Sequence, residues 1–590
     1  MPQLRLALAQ VDPVVGDLAG NAELVVAWAR HAAERGAHVV AFPEMMLTGY
    51  PIEDLALRPS FVEASAIAVD ALAERLAAEG LGDLAVIVGY LDRPTGLPQA
   101  GRQQTDLRNL PADACAFLFR GQVVARYAKH HLPNYGVFDE YRYFSRGDRL
   151  VVVRHLGVDI AMTVCEDLWQ EGGPFTAANA ATVGLVVNIN GSPYERGKHD
   201  VRLRLVQRRA AEANATVAYV NMVGGQDELV FDGDSLVVTP AGAVLTRAPQ
   251  FDEGLVVIDV GLPQASDDRI GSVDVHDGTQ MRVERVDLRT PILPPYEAIA
   301  AGVAERLAPE AEVYSALVVA TRDYMRKNAF NSVVLGLSGG IDSALVATIA
   351  VDALGASAVN TVALPSRWSS EHSLSDAAEL ARRQTIAHTV VPIGDIVEAY
   401  EKELELHGLA AENLQARVRG TILMGLSNEH GHLVLTTGNK SELATGYSTL
   451  YGDSAGGFAP IKDVPKSLVW QLARWRNAQA TLRGLEPPIP QNSIDKPPSA
   501  ELRPGQLDSD SLPDYTELDQ ILNGYVERDL GRDELVKAGH DAALVDRVVR
   551  MVDGAEYKRR QYPPGPKITA RNFGRDRRLP ITNRWREPQR

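Results

Sequence analysis

The sequence predicts an α/β protein of two domains, and three observations carry that expectation. At 590 residues the chain is well past the size at which one hydrophobic core keeps growing. Its first 260 or so residues alternate helix-like and strand-like patterns. Past the midpoint, LGLSGGIDSALVATIAVDAL (335–354) runs from an apolar strand through a glycine-rich turn into an amphipathic helix, the opening unit of a doubly wound parallel sheet.

In chain order, residues 21–35 carry Leu24, Val25, Trp28 and Ala32 at helical spacing, with Asn21 placed to cap the start and Gly36 to end it. The runs HVVAF (38–42), LAVIVGY (84–90), DIAMTV (159–164) and GLVVNIN (184–190) read as strands, apolar enough to be buried on both faces. Each stops at polar or turn residues, where α/β folds place their chemistry. The pattern fades into polar, proline-ended sequence, which divides the chain into a first domain at 1–262, a linker at 263–296 and a second domain at 297–590. In the second domain SVVLGL (332–337) and NTVALP (360–365) read as strands, and 487–515, rich in Pro, Asp and Ser, as a long loop suited to a lid.

Composition narrows the function. Lysine plus arginine (60) against aspartate plus glutamate (76) leaves a net charge of −16, which argues against nucleic acid or an anionic membrane as partner. No apolar run reaches the roughly 18 residues needed to span a bilayer. MPQLRLALAQ lacks the features of a signal peptide, so the expected location is the cytoplasm. The basic stretch from Tyr557 to Arg590 reads as a solvated tail or a subunit contact. The two cysteines, Cys115 and Cys165, make no disulfide framework, so each is a core residue or a reactive thiol.

Cys165 lies where the strand DIAMTV meets the acidic pair Glu166 and Asp167. A lone cysteine is more often a core residue, and as a nucleophile it needs a base or cation supplied from elsewhere in the fold. Glu44, in VVAFPEMMLTGYP, also follows a buried strand, as a surface residue or as a base presented into a pocket. Lys129 follows a strand-like stretch in YAKHHLP. The adjacent His130 and His131 would face opposite ways in an extended chain, which speaks against a metal pair.

Together FPEMMLTGYP, YAKHHLP and TVCEDLW resemble, in order, the three motifs of the nitrilase (carbon-nitrogen hydrolase) superfamily, across about residues 2–260. That resemblance implies an α-β-β-α sandwich with Glu44 as general base, Cys165 as the nucleophile forming a thioester, and Lys129 stabilising the oxyanion. LPNYGVFDE and NINGSPYERGKHD resemble the glutamine-using branch, in which the positions of Tyr135, Ser192 and Lys198 contact glutamine.

The later loop, Gly336, Leu337, Ser338, Gly339, Gly340, Ile341, Asp342 and Ser343, can approach an anion through its glycines and the amides of the following helix. It lacks the lysine of the common triphosphate loop. SGGIDS resembles the pyrophosphate loop of the N-type ATP pyrophosphatases, which implies that ATP is split between its α and β phosphates. Four downstream segments (413–420, 433–466, 496–515 and 555–569) are similar to the NAD synthetase family. The resemblance implies adenylation of deamido-NAD and displacement of AMP by ammonia. By the same resemblance the eight loop residues and Thr437 bind ATP. Glu442 joins Asp342 on Mg²⁺ and, with Asn413 and Lys558, holds deamido-NAD. Lys466 and Ser499 are further ATP contacts.

The expected assembly is a homo-oligomer. Two other readings keep part of this pattern: an ATP-dependent enzyme acting on a purine nucleotide or a tRNA base, and a first half serving only regulation or assembly. The charge disfavours tRNA, the downstream segments disfavour the purine, and Glu44, Lys129 and Cys165 together disfavour a purely structural first half.

Overall fold

The computed structural model describes residues 1–93, 110–266, 270–275 and 279–585, apart from the side chain of His199. Residues 267–269 and 276–278 of the expected linker, and 586–590 of the basic C-terminal stretch, lie outside the described residues. The chain divides into two compact units: Met1–Gly224 with Phe231–Arg306, and Leu307–Arg590 with Gly225–Val230.

The first unit is four-layered. One six-stranded sheet runs Gly254–Gly261, Gln3–Gln10, Val39–Ala41, Ala85–Asp92, Ala112–Phe119, Gln122–Ala128. An eight-stranded sheet has Leu185–Asn190, Val158–Val164 and Arg149–His155 at its centre. The apolar strands are buried on both faces because each face has its own partner. Leu6, Ile87, Phe117, Met162 and Val187 fill the space between the sheets. Helices Leu18–Glu34 and Pro59–Ala78 cover the first sheet, and Gly173–Ala180 and Lys198–Ala213 the second. This is the expected α-β-β-α sandwich.

Two local expectations change. The first helix begins at Leu18, capped by Asp17, whose side chain accepts from the Gly20 amide at 2.9 Å. Asn21 is instead buried inside that helix, exchanging hydrogen bonds with Val14 and donating to the Leu47 carbonyl. Within the stretch read as a linker, Ser272–Asp274 and Gln280–Asp287 are strands, the latter pairing in parallel with Arg149–His155. The first unit therefore continues to Arg306.

In the second unit a four-stranded, all-parallel sheet runs Ala387–Val390, Val359–Ala363, Val333–Gly336, Leu433–Val434. Numbered along the unit, that order is 3-2-1-4. The strand order reverses between its first and fourth strands, while all four run the same way, and this is the place where open α/β sheets bind ligands. Helix Ile341–Leu354 follows the glycine loop, and helix Leu409–His430 packs Leu414 and Val418 on Val334 and Val434. The expected loop at 487–515 includes the short helix Gln491–Asp495 and a turn of helix at Asp508–Asp510.

Candidate active sites

In the first unit the three motif residues converge. Lys129 follows strand Gln122–Ala128, and its amide donates to the Asp113 carbonyl at 2.9 Å. Its ammonium donates to Glu44 Oε1 at 2.7 Å, Glu140 Oε1 at 2.9 Å and Asp113 Oδ2 at 3.2 Å, so all three N–H groups are committed. Glu44 follows strand Val39–Ala41, and its turn lies against the neighbouring strand at Gly89. A Cβ at Gly89 would stand 2.3 Å from the Met45 nitrogen, so only glycine lets the turn approach. The second oxygen of Glu44 accepts from the Gly191 amide at 2.5 Å. Among the described residues, Glu44, Asp113 and Glu140 are the group of three that could hold a metal ion. The Lys129 ammonium already takes a cation's place there.

Cys165 sits between strand Val158–Val164 and the short helix Glu166–Trp169, at φ 39° and ψ −95°. A side chain held at positive φ outside glycine stores strain, and such strain clusters where a group must be presented. Asp167 ties this elbow to the lysine segment. Its Oδ1 accepts from the His130 and His131 amides at 3.0 and 2.9 Å, and its Oδ2 from the Val164 amide at 2.9 Å and the Tyr127 hydroxyl at 2.6 Å. The two histidine rings touch edge-on, centroids 4.6 Å apart, rather than facing opposite ways, because the chain turns there. His130 meets the Gly147 carbonyl and Arg146.

Charge is distributed unevenly in this space. Burial pushes the Cys165 thiol well above its usual range, and Glu44 adds to this while Lys129 opposes it. Cys165 therefore rests as a thiol, which would have to lose its proton to act as a nucleophile. Burial also opposes a charge on Glu44, but Lys129, Asp113 and Gly191 outweigh it and hold that carboxyl below the usual range. Burial raises Glu140 to about 7 against the pull of Lys129.

Tyr135 and Lys198 stand within electrostatic reach of the thiol, and Ser192 follows Gly191, whose amide donates to Glu44. Tyr135 donates to Glu166 Oε2 at 2.9 Å, Ser192 exchanges backbone hydrogen bonds with Asn221, and Lys198 donates to the Pro193 carbonyl at 3.0 Å. The Lys198 ammonium lies 5.2 Å from the Trp169 ring centroid, and burial lowers its pKa to about 8. A thiolate at Cys165 acts on both Tyr135 and Lys198.

In the second unit a cavity of about 620 Å³ opens at the strand ends. Gly336, Leu337, Ser338, Gly340, Ile341, Asp342, Ser343, Asn413, Thr437, Glu442, Lys466, Ser499 and Lys558 all line it. Gly339 does not. Its φ is +75°, and a Cβ there would stand 2.2 Å from the Ser373 carbonyl oxygen, so it serves the loop's close approach to helix Glu371–Gln384. The Ser338 and Ser343 hydroxyls are 3.1 Å apart, and the Gly340 amide donates to Ser338 Oγ at 3.2 Å.

Asp342 and Glu442 converge on one point. Lys466 Nζ reaches Asp342 at 2.5 Å and Glu442 at 3.3 Å, and the Asn439 side chain donates through Nδ2 to Asp342 Oδ1 at 2.9 Å. Burial raises Glu442 to about 8, with Lys466 opposing and Asp342 reinforcing the shift. Asp342 and Glu442 supply the hard oxygen donors that a magnesium ion takes, and the Lys466 ammonium holds the position between them. Asn413 accepts from Thr449 at 2.8 Å, and Lys558 donates to the Gly446 and Ser448 carbonyls at 2.7 Å each. Part of the basic segment is folded in: Arg559 is buried, donating to the Ala444 and Val552 carbonyls, while Ile581 and Trp585 further on are exposed.

Sequence reasoning passed over Asp113 and Glu140 and saw Asp167 only as an acidic neighbour of the thiol, because their contacts span 11 to 90 residues of chain. It also passed over Arg419, which lines the cavity, donates to the Leu364 carbonyl and is lowered by burial to about 10. The pair of arginines in ARVRG was its one visible signal.

Comparison with known proteins gives two family matches, carbon-nitrogen hydrolase over residues 5–269 and NAD synthase over residues 313–562. The chain is 43% identical over 589 residues to a glutamine-dependent NAD(+) synthetase of Aquifex aeolicus, covering 99% of this chain and 100% of that one. It is 42% identical to the protein of the same description from Thermotoga maritima, over all of both chains. A solved glutamine-dependent NAD+ synthetase from Acinetobacter baumannii, in complex with ADP, superposes with a TM-score of 0.71 at 38% identity, covering 100% of each chain.

Proposed function

The chain belongs to the glutamine-dependent NAD(+) synthetase family, and on that premise we propose how its residues divide the work. The enzyme is a carbon-nitrogen ligase that draws ammonia from glutamine and uses ATP to amidate deamido-NAD. The observation that carries the residue assignment is one chain holding both a buried Glu44–Lys129–Cys165 group and a strand-end cavity around the glycine loop.

In the first unit Glu44 takes the thiol proton as Cys165 Sγ attacks the side-chain amide carbon of glutamine. Glu44 returns that proton to the departing nitrogen, the carbon–nitrogen bond breaks, and ammonia leaves a thioester. Glu44 then deprotonates a water molecule that attacks the thioester, releasing glutamate and restoring the thiol. Because every Lys129 N–H is committed to a carboxyl group, Lys129 stabilises both oxyanions as a fixed charge. Tyr135, Ser192 and Lys198 hold glutamine, Lys198 pairing with its carboxylate.

In the second unit the loop amides and the Ser338 and Ser343 hydroxyls hold the leaving pyrophosphate. Arg419, Lys466 and Lys558 give the cavity the positive charge that two anionic substrates require. The nicotinate carboxylate attacks the α-phosphate of ATP, pyrophosphate leaves, and ammonia displaces AMP from the adenylate. Thr437 and Ser499 contact ATP, and Asn413, Glu442 and Lys558 hold deamido-NAD. Asp342 and Glu442 would hold Mg²⁺, which when bound neutralises phosphate charge.

Among the described residues no helix is long and apolar enough to cross a membrane. A cytoplasmic location and a homo-oligomeric state rest on the sequence expectations alone. The deciding experiment assays Cys165→Ala for NAD formation from deamido-NAD, ATP and Mg²⁺. Glutamine should no longer serve as nitrogen source while ammonium still does. Undiminished use of glutamine would remove the thiol from the mechanism.

A further inference from the structure

Four ionisable side chains share one closed space in the first unit: Glu44, Asp113, Lys129 and Glu140, each 0% exposed. Fully ionised, they carry three negative charges against one positive. Lys129 is the one cation among the charges acting most strongly on the three carboxyl groups. The other titratable groups facing them are the Tyr50 phenol, the Cys165 thiol, and the Cys115 thiol on the strand that carries Asp113. An uncompensated double charge in a dry interior is costly, so the cluster retains a proton at neutral pH.

Geometry says where the proton stays. Glu44 receives Lys129 at 2.7 Å and the Gly191 amide at 2.5 Å. Glu140 receives Lys129 at 2.9 Å and the Tyr50 hydroxyl at 3.1 Å. Asp113 has only the longest of the lysine contacts, 3.2 Å, and its Oδ1 meets no N–H or hydroxyl donor among the described residues. Asp113 and Glu44 share the Lys129 ammonium, and one carboxyl oxygen of each lies within 4.8 Å of the other. Of two carboxyl groups on one ammonium, the proton the cluster retains belongs on the one with fewer donors.

We propose that Asp113 is a positioning residue that keeps its proton at neutral pH and donates it in a hydrogen bond to Glu44, holding that base ionised and aimed. The inference rests on the reading of Glu44 as the base. The electrostatics run the same way: burial and the Glu44 charge push Asp113 well above the usual carboxylate range, while Glu44 is held below it. At alkaline pH a second ionised carboxylate beside Glu44 would disturb the base. Asparagine, which keeps the shape and an N–H donor and cannot ionise, would remove that disturbance.

The test uses the full chain as wild type, Asp113→Asn and Asp113→Ala, with glutamine or ammonium as nitrogen source across a pH series. Alanine should lower the glutamine-driven rate about a hundredfold, and asparagine should recover it to within about threefold of wild type. The asparagine variant should also hold its rate further into the alkaline range. Ammonium-driven synthesis, which bypasses the thiol, should persist in all three. A wild-type minus Asp113→Asn infrared difference spectrum at pH 7 should show the carbonyl band of a protonated carboxylic acid.

Asparagine as damaging as alanine, or a difference spectrum without the acid band, would overturn the proposal. Should the alanine variant not fold, the asparagine pH profile and the infrared band still decide it. The base assignment fails separately: Glu44→Gln that keeps full glutamine use removes Glu44 from the chemistry and leaves the acid band as it was.

Discussion

The Lys198 ammonium, proposed to hold glutamine, would tie substrate capture to pH. Burial lowers it from 10.5 to about 8 in the folded chain, so it is a cation below that pH and neutral above. If it pairs with the carboxylate of glutamine, the KM for glutamine should be flat below about pH 8 and rise about tenfold per unit above it. The ammonium-driven reaction should show no such limb, which steady-state kinetics with both nitrogen sources will check. For stability the sign is opposite. The unfolded chain keeps this proton to about 10.5, so burying the charged lysine costs stability below pH 8, and the cost fades as pH rises toward 10.5. At this scale the motif residues Glu44, Lys129 and Cys165 were legible because each follows a recognisable strand. Asp113, Glu140 and Asp167 were not, because their meaning comes from convergence: Asp113 reads as one polar residue in an apolar strand until Lys129 and Glu44 close over it.

Elements were legible where burial is two-sided. The strands at 39–41, 85–92, 158–164 and 185–190 fall where their apolar runs placed them. Strand Gln280–Asp287 escaped because QMRVERVD buries only Met281, half-buries Val283, Arg285 and Val286, and reads as polar sequence. The first helix was placed a turn late because Asn21, a good capping residue, spends its side chain on the preceding loop. The glycine loop was legible as an anion site, but Gly339 has a different task from its neighbours: it admits the Ser373 carbonyl to a place a Cβ would fill. Gly339→Ala should therefore shift the loop at a cost of about 1–3 kcal/mol. NAD formation should fall with glutamine and ammonium alike, while glutamine hydrolysis persists. Thermal melting together with the two assays separates this from the thiol variant, and undiminished ammonium-driven synthesis would show that the loop tolerates the methyl group.

For the whole molecule, a chain of two units was evident from length, but the division between them was not, because one unit borrows chain from the other's sequence. Gly225–Val230 lies in the first half of the sequence and packs as part of the second unit. There the Gly225 amide donates to Asp323 at 2.8 Å, Lys327 donates to the Gly225 carbonyl at 2.8 Å, and the Lys567 amide donates to the Glu228 carbonyl at 2.7 Å. Lys462 pairs with Glu228 at 2.8 Å, with side chains only 6% and 15% exposed. A fragment beginning at Leu307 keeps the sheet, the glycine loop and the cavity residues but loses all four contacts. Three of them involve a charged group and contribute about 1.5–3 kcal/mol each, a sum comparable with the roughly 5–15 kcal/mol that holds a domain folded. The fragment 307–590 should thus unfold at a markedly lower urea concentration than the full chain, with ammonium-driven synthesis as the probe. Restoring the segment matters more than restoring the first unit's chemistry: full-length Cys165→Ala, which keeps Gly225–Val230, should unfold where wild type does. Equal midpoints for fragment and full chain would mean that the borrowed segment is dispensable to the second unit.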